Sequence, residues 1–139
     1  MKHKLKKSEK EKIIKEISSY FFQRHDDILT VYIFGSFILR RSFSDIDIGI
    51  ITVTDLSHPL EFELALESQL EKIIKYPIDI RILNQAPISF SQNVFRTGRV
   101  ILDSNSNMRA DFEGRILKQY FDFAPFRKRY LQEVANAPV

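Results

Sequence analysis

The chain has 139 residues, 44% of them hydrophobic and 28% charged, with a formal net charge of +3 and no cysteine. That size and balance predict a single domain over residues 1–139 that buries its core without covalent staples, and the missing cysteines exclude disulfides, thiolate catalysis and cysteine-ligated zinc. No apolar run approaches the roughly 20 residues that span a bilayer, and no apolar stretch follows the basic start Met1-Lys2-His3-Lys4-Leu5-Lys6-Lys7 as a secretory signal requires, so the expectation is a cytoplasmic protein without membrane contact.

The basic excess sits in Lys2 to Lys12 and in Arg127-Lys128-Arg129. Both stretches read as solvated helix faces. No helix-turn-helix or RNA-binding aromatic signature accompanies them, so no direct nucleic-acid partner is expected.

In chain order, Ser8 and Glu11 match a capping box. Behind them Ile13, Ile14, Ile17, Tyr20 and Phe21 recur at helical spacing, predicting an amphipathic helix over 8–25 that ends near His25-Asp26-Asp27. Ile28 to Phe34 is β-branched and aromatic, the composition of a buried strand, and Gly35 terminates it. A turn, with one helical turn in it, covers Ser36 to Phe43. Asp45 to Val53 is a second strand, and 54–59 a loop. Pro59 suits the first turn of a helix, which Leu60, Leu64, Leu66, Leu70, Ile73 and Ile74 carry to about Lys75 before Pro77 stops it. Ile78 to Leu83 alternates polar and apolar residues, the period of a half-exposed strand. Pro87 opens a helix through Arg96 that Gly98 closes. Arg99 to Leu102 is a short strand, and Met108 to Val134 is helical with a break at Pro125. This order describes an α/β (α+β) domain, a small mixed sheet flanked by helices.

The residues that carry chemistry fall on these strands. Side chains two apart on a strand share a face, so Asp45 and Asp47 present paired carboxylates while Ile46, Ile48 and Ile50 point the other way. Asp79 is divided in the same manner from Ile78, Ile80 and Ile82. If the two strands pair, three carboxylates converge on one sheet face. Like charges held that close repel unless a proton or cation intervenes, and all-oxygen ligands suit a hard cation such as Mg²⁺. Gly35-Ser36 offers a close backbone approach and hydroxyl and N–H donors for a phosphate, and Arg40 and Arg41 add charge. His3, His25 and His58 lack metal-ligand spacing. The stripe Phe112, Tyr120, Phe121, Phe123, Phe126 and Tyr130 is read as core, with partner docking as the sharper alternative.

Gly35-Ser36, Ser44-Asp45-Ile46-Asp47, Asp79 and the stretches Ile78 to Pro87 and Thr97 to Leu102 resemble the minimal nucleotidyltransferases of the DNA polymerase β-like superfamily, over a core of about 10–105. The helical segment 106–139, with Tyr120-Phe121-Asp122-Phe123, is similar to the branch of MntA-type antitoxins. The resemblance implies that Gly35 and Ser36 contact ATP and that Asp45, Asp47 and Asp79 hold Mg²⁺, two ions being usual; Arg40 and Arg41 are expected to add phosphate contacts in place of the family's arginine. It further implies that AMP passes to a tyrosine of a HEPN ribonuclease toxin bound in a hetero-oligomer. The spacer Phe37 to Ser44, eight residues, is shorter than the family's usual one, with Ile38-Leu39-Arg40 in place of Ala-Arg-Gly. Two alternatives stay open: an antitoxin that acts by binding alone, and a transferase acting on a small hydroxylated molecule.

Overall fold

The computed structural model describes residues 1–24 and 27–136, including the side chains of all of these except 24, 123–128 and 130–136. In chain order the elements are β1 (His3–Lys4), α1 (Lys7–Arg24), β2 (Ile28–Phe34), α2 (Ser36–Leu39), β3 (Ser42–Phe43) and β4 (Ile46–Thr52), followed by α3 (Pro59–Ile74), β5 (Ile78–Ile82), α4 (Ile88–Thr97), β6 (Arg99–Asp103) and α5 (Ser106–Asn136). The mixed α/β architecture is the one the hydrophobic periods predict.

Four strands form the main sheet in the order β5-β4-β2-β6. β2 runs antiparallel to both β4 and β6, while β4 and β5 are parallel. A parallel neighbour needs a long crossover, and α3 supplies it. β1 and β3 pair antiparallel as a separate two-residue ribbon that the sequence reading did not anticipate. Neither stretch is long enough to show a period.

The sheet is buried on both faces. Ile28, Val31 and Ile33 of β2, Ile46, Ile48 and Ile50 of β4 and Ile78, Ile80 and Ile82 of β5 pack under α1 and α3, against Ile17, Phe21 and Leu70. Each such side chain, fully buried, contributes about 1.5–3 kcal/mol of transfer free energy. Leu29, Tyr32, Phe34, Ile51 and Leu83 point to the opposite face, where Val94 and, half-buried, Phe90 and Phe95 of α4 and Phe112 of α5 cover them. The aspartates share that second face.

Four details depart from the sequence reading. α1 begins at Lys7, and its cap is Glu9, whose carboxylate accepts the Lys6 N–H at 3.2 Å. Glu11, expected to complete a capping box with Ser8, instead takes two hydrogen bonds from Arg99, at 2.6 and 3.1 Å. On α3 only the 66/70/74 stripe is buried, and Leu60, Leu64 and Ile73 are exposed. Finally, α5 continues past Pro125 to Asn136. A proline removes a single N–H from the helical ladder, and the helix spans that gap without the expected break. His25 and the side chains of Phe123, Phe126 and Tyr130 lie outside the described residues. Phe112 is core-facing, and Phe121 is exposed. No helix among the described residues is long and apolar enough to cross a membrane.

The outer edge of β5 is closed in an unusual way. Glu71, Glu67 and Glu63 of α3 accept the backbone N–H groups of Ile78, Ile80 and Ile82 at 3.0, 2.9 and 2.8 Å. Four helical residues rise about 6 Å and two strand residues about 6.6 Å, so a Glu-x-x-x-Glu-x-x-x-Glu stripe matches every second amide of an adjacent strand. Those donors would otherwise offer a template to another chain.

Candidate active site

The carboxylates come together because of register. Asp47 lies directly between Phe34 on β2 and Asp79 on β5 as their cross-strand partner, and Asp45 precedes it on the same face. Asp45, Asp47 and Asp79 each offer an oxygen such that all three lie within 4.8 Å of one another. Asp47, half-buried, has its carboxyl pushed up to about 7, first by burial and then by the charges of Asp45 and Asp79, with Arg81 opposing. This crowding fits the residues to a divalent cation: three hard oxygen donors, mutually repelling, whose charge a Mg²⁺ ion would balance.

Gly35 turns the chain beside them. Its backbone, at φ 76° and ψ −157°, lies in a region essentially reserved for glycine. Its carbonyl then accepts the N–H groups of Ile38 and Leu39 at 3.1 and 3.0 Å, forming the single turn of α2. Ser36, half-buried, is the first residue of that turn. Phe37 beneath it is fully buried against Phe43, ring centroids 4.9 Å apart.

The remaining predicted residues part company from this cluster. Arg40 and Arg41 follow α2 into a separate groove, lined also by Lys4, Lys7 and Lys10 of the N-terminal region. The cation that does face the carboxylates is Arg81, its Nε 3.7 Å from Asp79 Oδ1 and its guanidinium 5.9 Å from the Phe90 ring centroid. Arg81 shares the Asp79 face by strand alternation, and nothing in the local sequence assigns it a role. Phe90 was missed, because nothing local shows that α4 folds back to bring its ring to Phe34 and Arg81. Taken together, the site holds a carboxylate triad whose spacing suits a divalent cation, a glycine turn that admits a close approach, and a guanidinium over an aromatic wall.

A family model described as polymerase beta, nucleotidyltransferase, matches residues 11–107. No curated protein matches the chain in sequence. Among solved structures, the chain is similar to one in a crystal structure of the toxin–antitoxin MntA–HepT (TM-score 0.73, 18% identity, covering 90% of this chain and 98% of that one). It is also similar to one in the complex of a tri-AMPylated Shewanella oneidensis HEPN toxin with MNT antitoxin (TM-score 0.75, 18% identity, 91% and 98%). A third, from a toxin–antitoxin crystal structure with AMP-PNP, has a TM-score of 0.74 at 18% identity, covering 88% and 98%. At these identities the likenesses establish the fold. The family match spans more than half of the chain, and the chain therefore belongs to the polymerase beta nucleotidyltransferase family.

Proposed function

Starting from that family membership, we propose that the protein is a Mg²⁺-dependent nucleotidyltransferase that moves AMP from ATP to a tyrosine hydroxyl of a HEPN ribonuclease toxin, and so acts as the toxin's antitoxin. The observation that carries the chemistry is the Asp45–Asp47–Asp79 cluster beside Gly35-Ser36. The toxin as partner and AMP as the transferred group are supported by the fold's likeness to the MntA–HepT and AMPylated HEPN–MNT complexes.

The residues divide the work. Ser36, through its N–H and hydroxyl, binds the nucleotide phosphates, which the bare Gly35 lets approach. Asp45 and Asp47 would hold the metal, two ions being the family expectation, with Asp79 completing the set. When bound, the cation neutralises the phosphate chain and polarises the phosphorus under attack. Asp79, on the outer strand, orients the acceptor hydroxyl and accepts its proton. The tyrosine oxygen forms a bond to the α-phosphorus, the α–β phosphoanhydride bond breaks, and pyrophosphate leaves.

The test is incubation with labelled ATP, Mg²⁺ and the product of the adjacent gene. Label should reach that protein with the wild type and fail to do so with the Asp45→Ala, Asp47→Ala double variant. Equal labelling by both would remove these aspartates from the mechanism. The short spacer, with Arg40 and Arg41 away from the carboxylates, favours one second reading: an antitoxin that masks its partner by binding alone. On that reading the double variant would still neutralise the toxin.

A further inference from the structure

We infer that the basic groove between the start of α1 and the turn of α2 docks an acidic, leucine-rich type of segment on the partner protein, an inference that rests on reading the acceptor as a protein. The groove encloses about 880 Å³ between the start of α1 and the turn of α2, within the range of built ligand clefts. None of Gly35, Ser36, Asp45, Asp47 and Asp79 lines it, so it is a second surface and not the carboxylate site itself.

Its charge is largely uncompensated, with seven cationic residues lining it against two carboxylates. Of its two acidic lining residues, Glu11 is taken by Arg99 and Glu9 by the Lys6 N–H. Lys10 is taken as well, its ammonium donating to the carbonyls of Phe37 and Arg40 at 2.8 and 2.9 Å and so fixing the groove's wall. Lys4, Arg40 and Arg41 form no ion pair among the described residues. An anionic occupant would find these cations available.

Its floor selects among anions. Leu5, Ile14 and Leu39 line the same groove, and Leu39 is 60% exposed. Aliphatic contact of this kind favours a chain that carries apolar side chains between its carboxylates. A nucleic-acid strand would call for exposed rings on which bases stack, whereas the one aromatic residue lining the groove, Phe37, is fully buried. Arg41 and Asp45 are four residues apart, so the Arg41 end of the groove lies no more than about 14 Å of chain from the start of the carboxylate strand.

Fluorescence anisotropy tests this with three probes of equal charge: a dodecapeptide alternating glutamate and leucine, the same peptide with serine for leucine, and a single-stranded RNA. The expected result is binding of the Glu–Leu peptide, at least tenfold weaker for the serine peptide and for RNA. It should fall at least tenfold for the Lys4→Glu, Lys7→Glu double variant and several-fold for Leu39→Ser. Circular dichroism and binding of a fluorescent ATP analogue should be unchanged in those variants. Peptide binding indifferent to the substitutions, or tighter binding of RNA, overturns the inference. Loss of the ATP analogue together with the charge reversal also overturns it, by giving the groove to the nucleotide. Failure of the wild type to bind the analogue, with peptide binding intact, instead removes the transferase reading and leaves the groove's role standing.

Discussion

Gly35 and Asp47 are in contact across the β2–β4 pair, so that a Cβ on Gly35 would overlap the Asp47 carboxylate, with Oδ2 inside van der Waals distance and Cγ at 3.2 Å. The glycine therefore serves two ends: it adopts a backbone angle closed to other residues, and it leaves room for the central carboxylate of the triad.

Gly35→Ala should lose at least 2 kcal/mol, from about 1–3 kcal/mol of backbone strain plus displacement of Asp47. Urea unfolding measures the loss, and Mg²⁺-dependent labelling of the partner should fall with it. Gly114 provides the contrast. It lies inside α5 with nothing within 4 Å of the point an added methyl would occupy, so Gly114→Ala should gain about 0.5–1 kcal/mol.

Asp47 makes stability depend on pH in a predictable direction. Its native carboxyl releases its proton near 7, and the unfolded one near 4. Between those values the native state binds more protons, so metal-free stability falls as pH rises from about 4 to 7 and then levels. Asp47→Asn removes the effect. In EDTA the variant should be more stable than wild type at pH 8, by on the order of 1–2 kcal/mol once solvent screening is allowed for, and should match it near pH 4. Thermal unfolding across this range is the measurement. Adding Mg²⁺ at pH 8 should raise the wild-type midpoint and leave the variant's nearly still.

The glutamate ladder on α3 should protect the β5 edge and with it the position of Asp79. Glu67→Leu leaves the Ile80 N–H without its acceptor, a loss of about 1–3 kcal/mol. Glu67→Gln keeps a carbonyl oxygen in place and should lose less. Replacing Glu63, Glu67 and Glu71 together should expose the strand edge. Gel filtration would then show association that the wild type lacks at the same concentration.

Tyr32 donates from beneath α5 to Glu113, whose carboxylate also meets Arg109 at 3.4 Å. Burial first, and then this hydrogen bond to Glu113, hold the Tyr32 phenol above its ordinary range. Arg109 in turn reaches Asp103 of β6 at 2.7 Å, so the group ties α5 to the sheet. Tyr32→Phe should cost about 1 kcal/mol in urea unfolding and leave nucleotide binding unchanged.

Local backbone geometry was legible in the chain. Alternation in Asp45-Ile46-Asp47-Ile48 and Ile78-Asp79-Ile80 put each carboxylate on the correct face, and Gly35, Pro59, Pro77 and Gly98 ended or began elements close to where they stand. These properties depend on neighbours within a few residues, because strand and helix periods are set by the chain's own dihedrals. What the tertiary structure decided is which distant segments meet. The parallel register that sets Asp47 against Asp79 depends on the length and packing of α3, and the fit of its glutamates to β5 depends on two unrelated rises nearly coinciding. Arg40 and Arg41 carry the same charge as Arg81, yet only Arg81 faces the triad, since α2 directs the chain after Ser36 toward the N-terminal lysines. No spacing in the sequence contains that choice. It follows from the burial of Phe37 and Phe43, which decides the side of the sheet on which the arginines emerge.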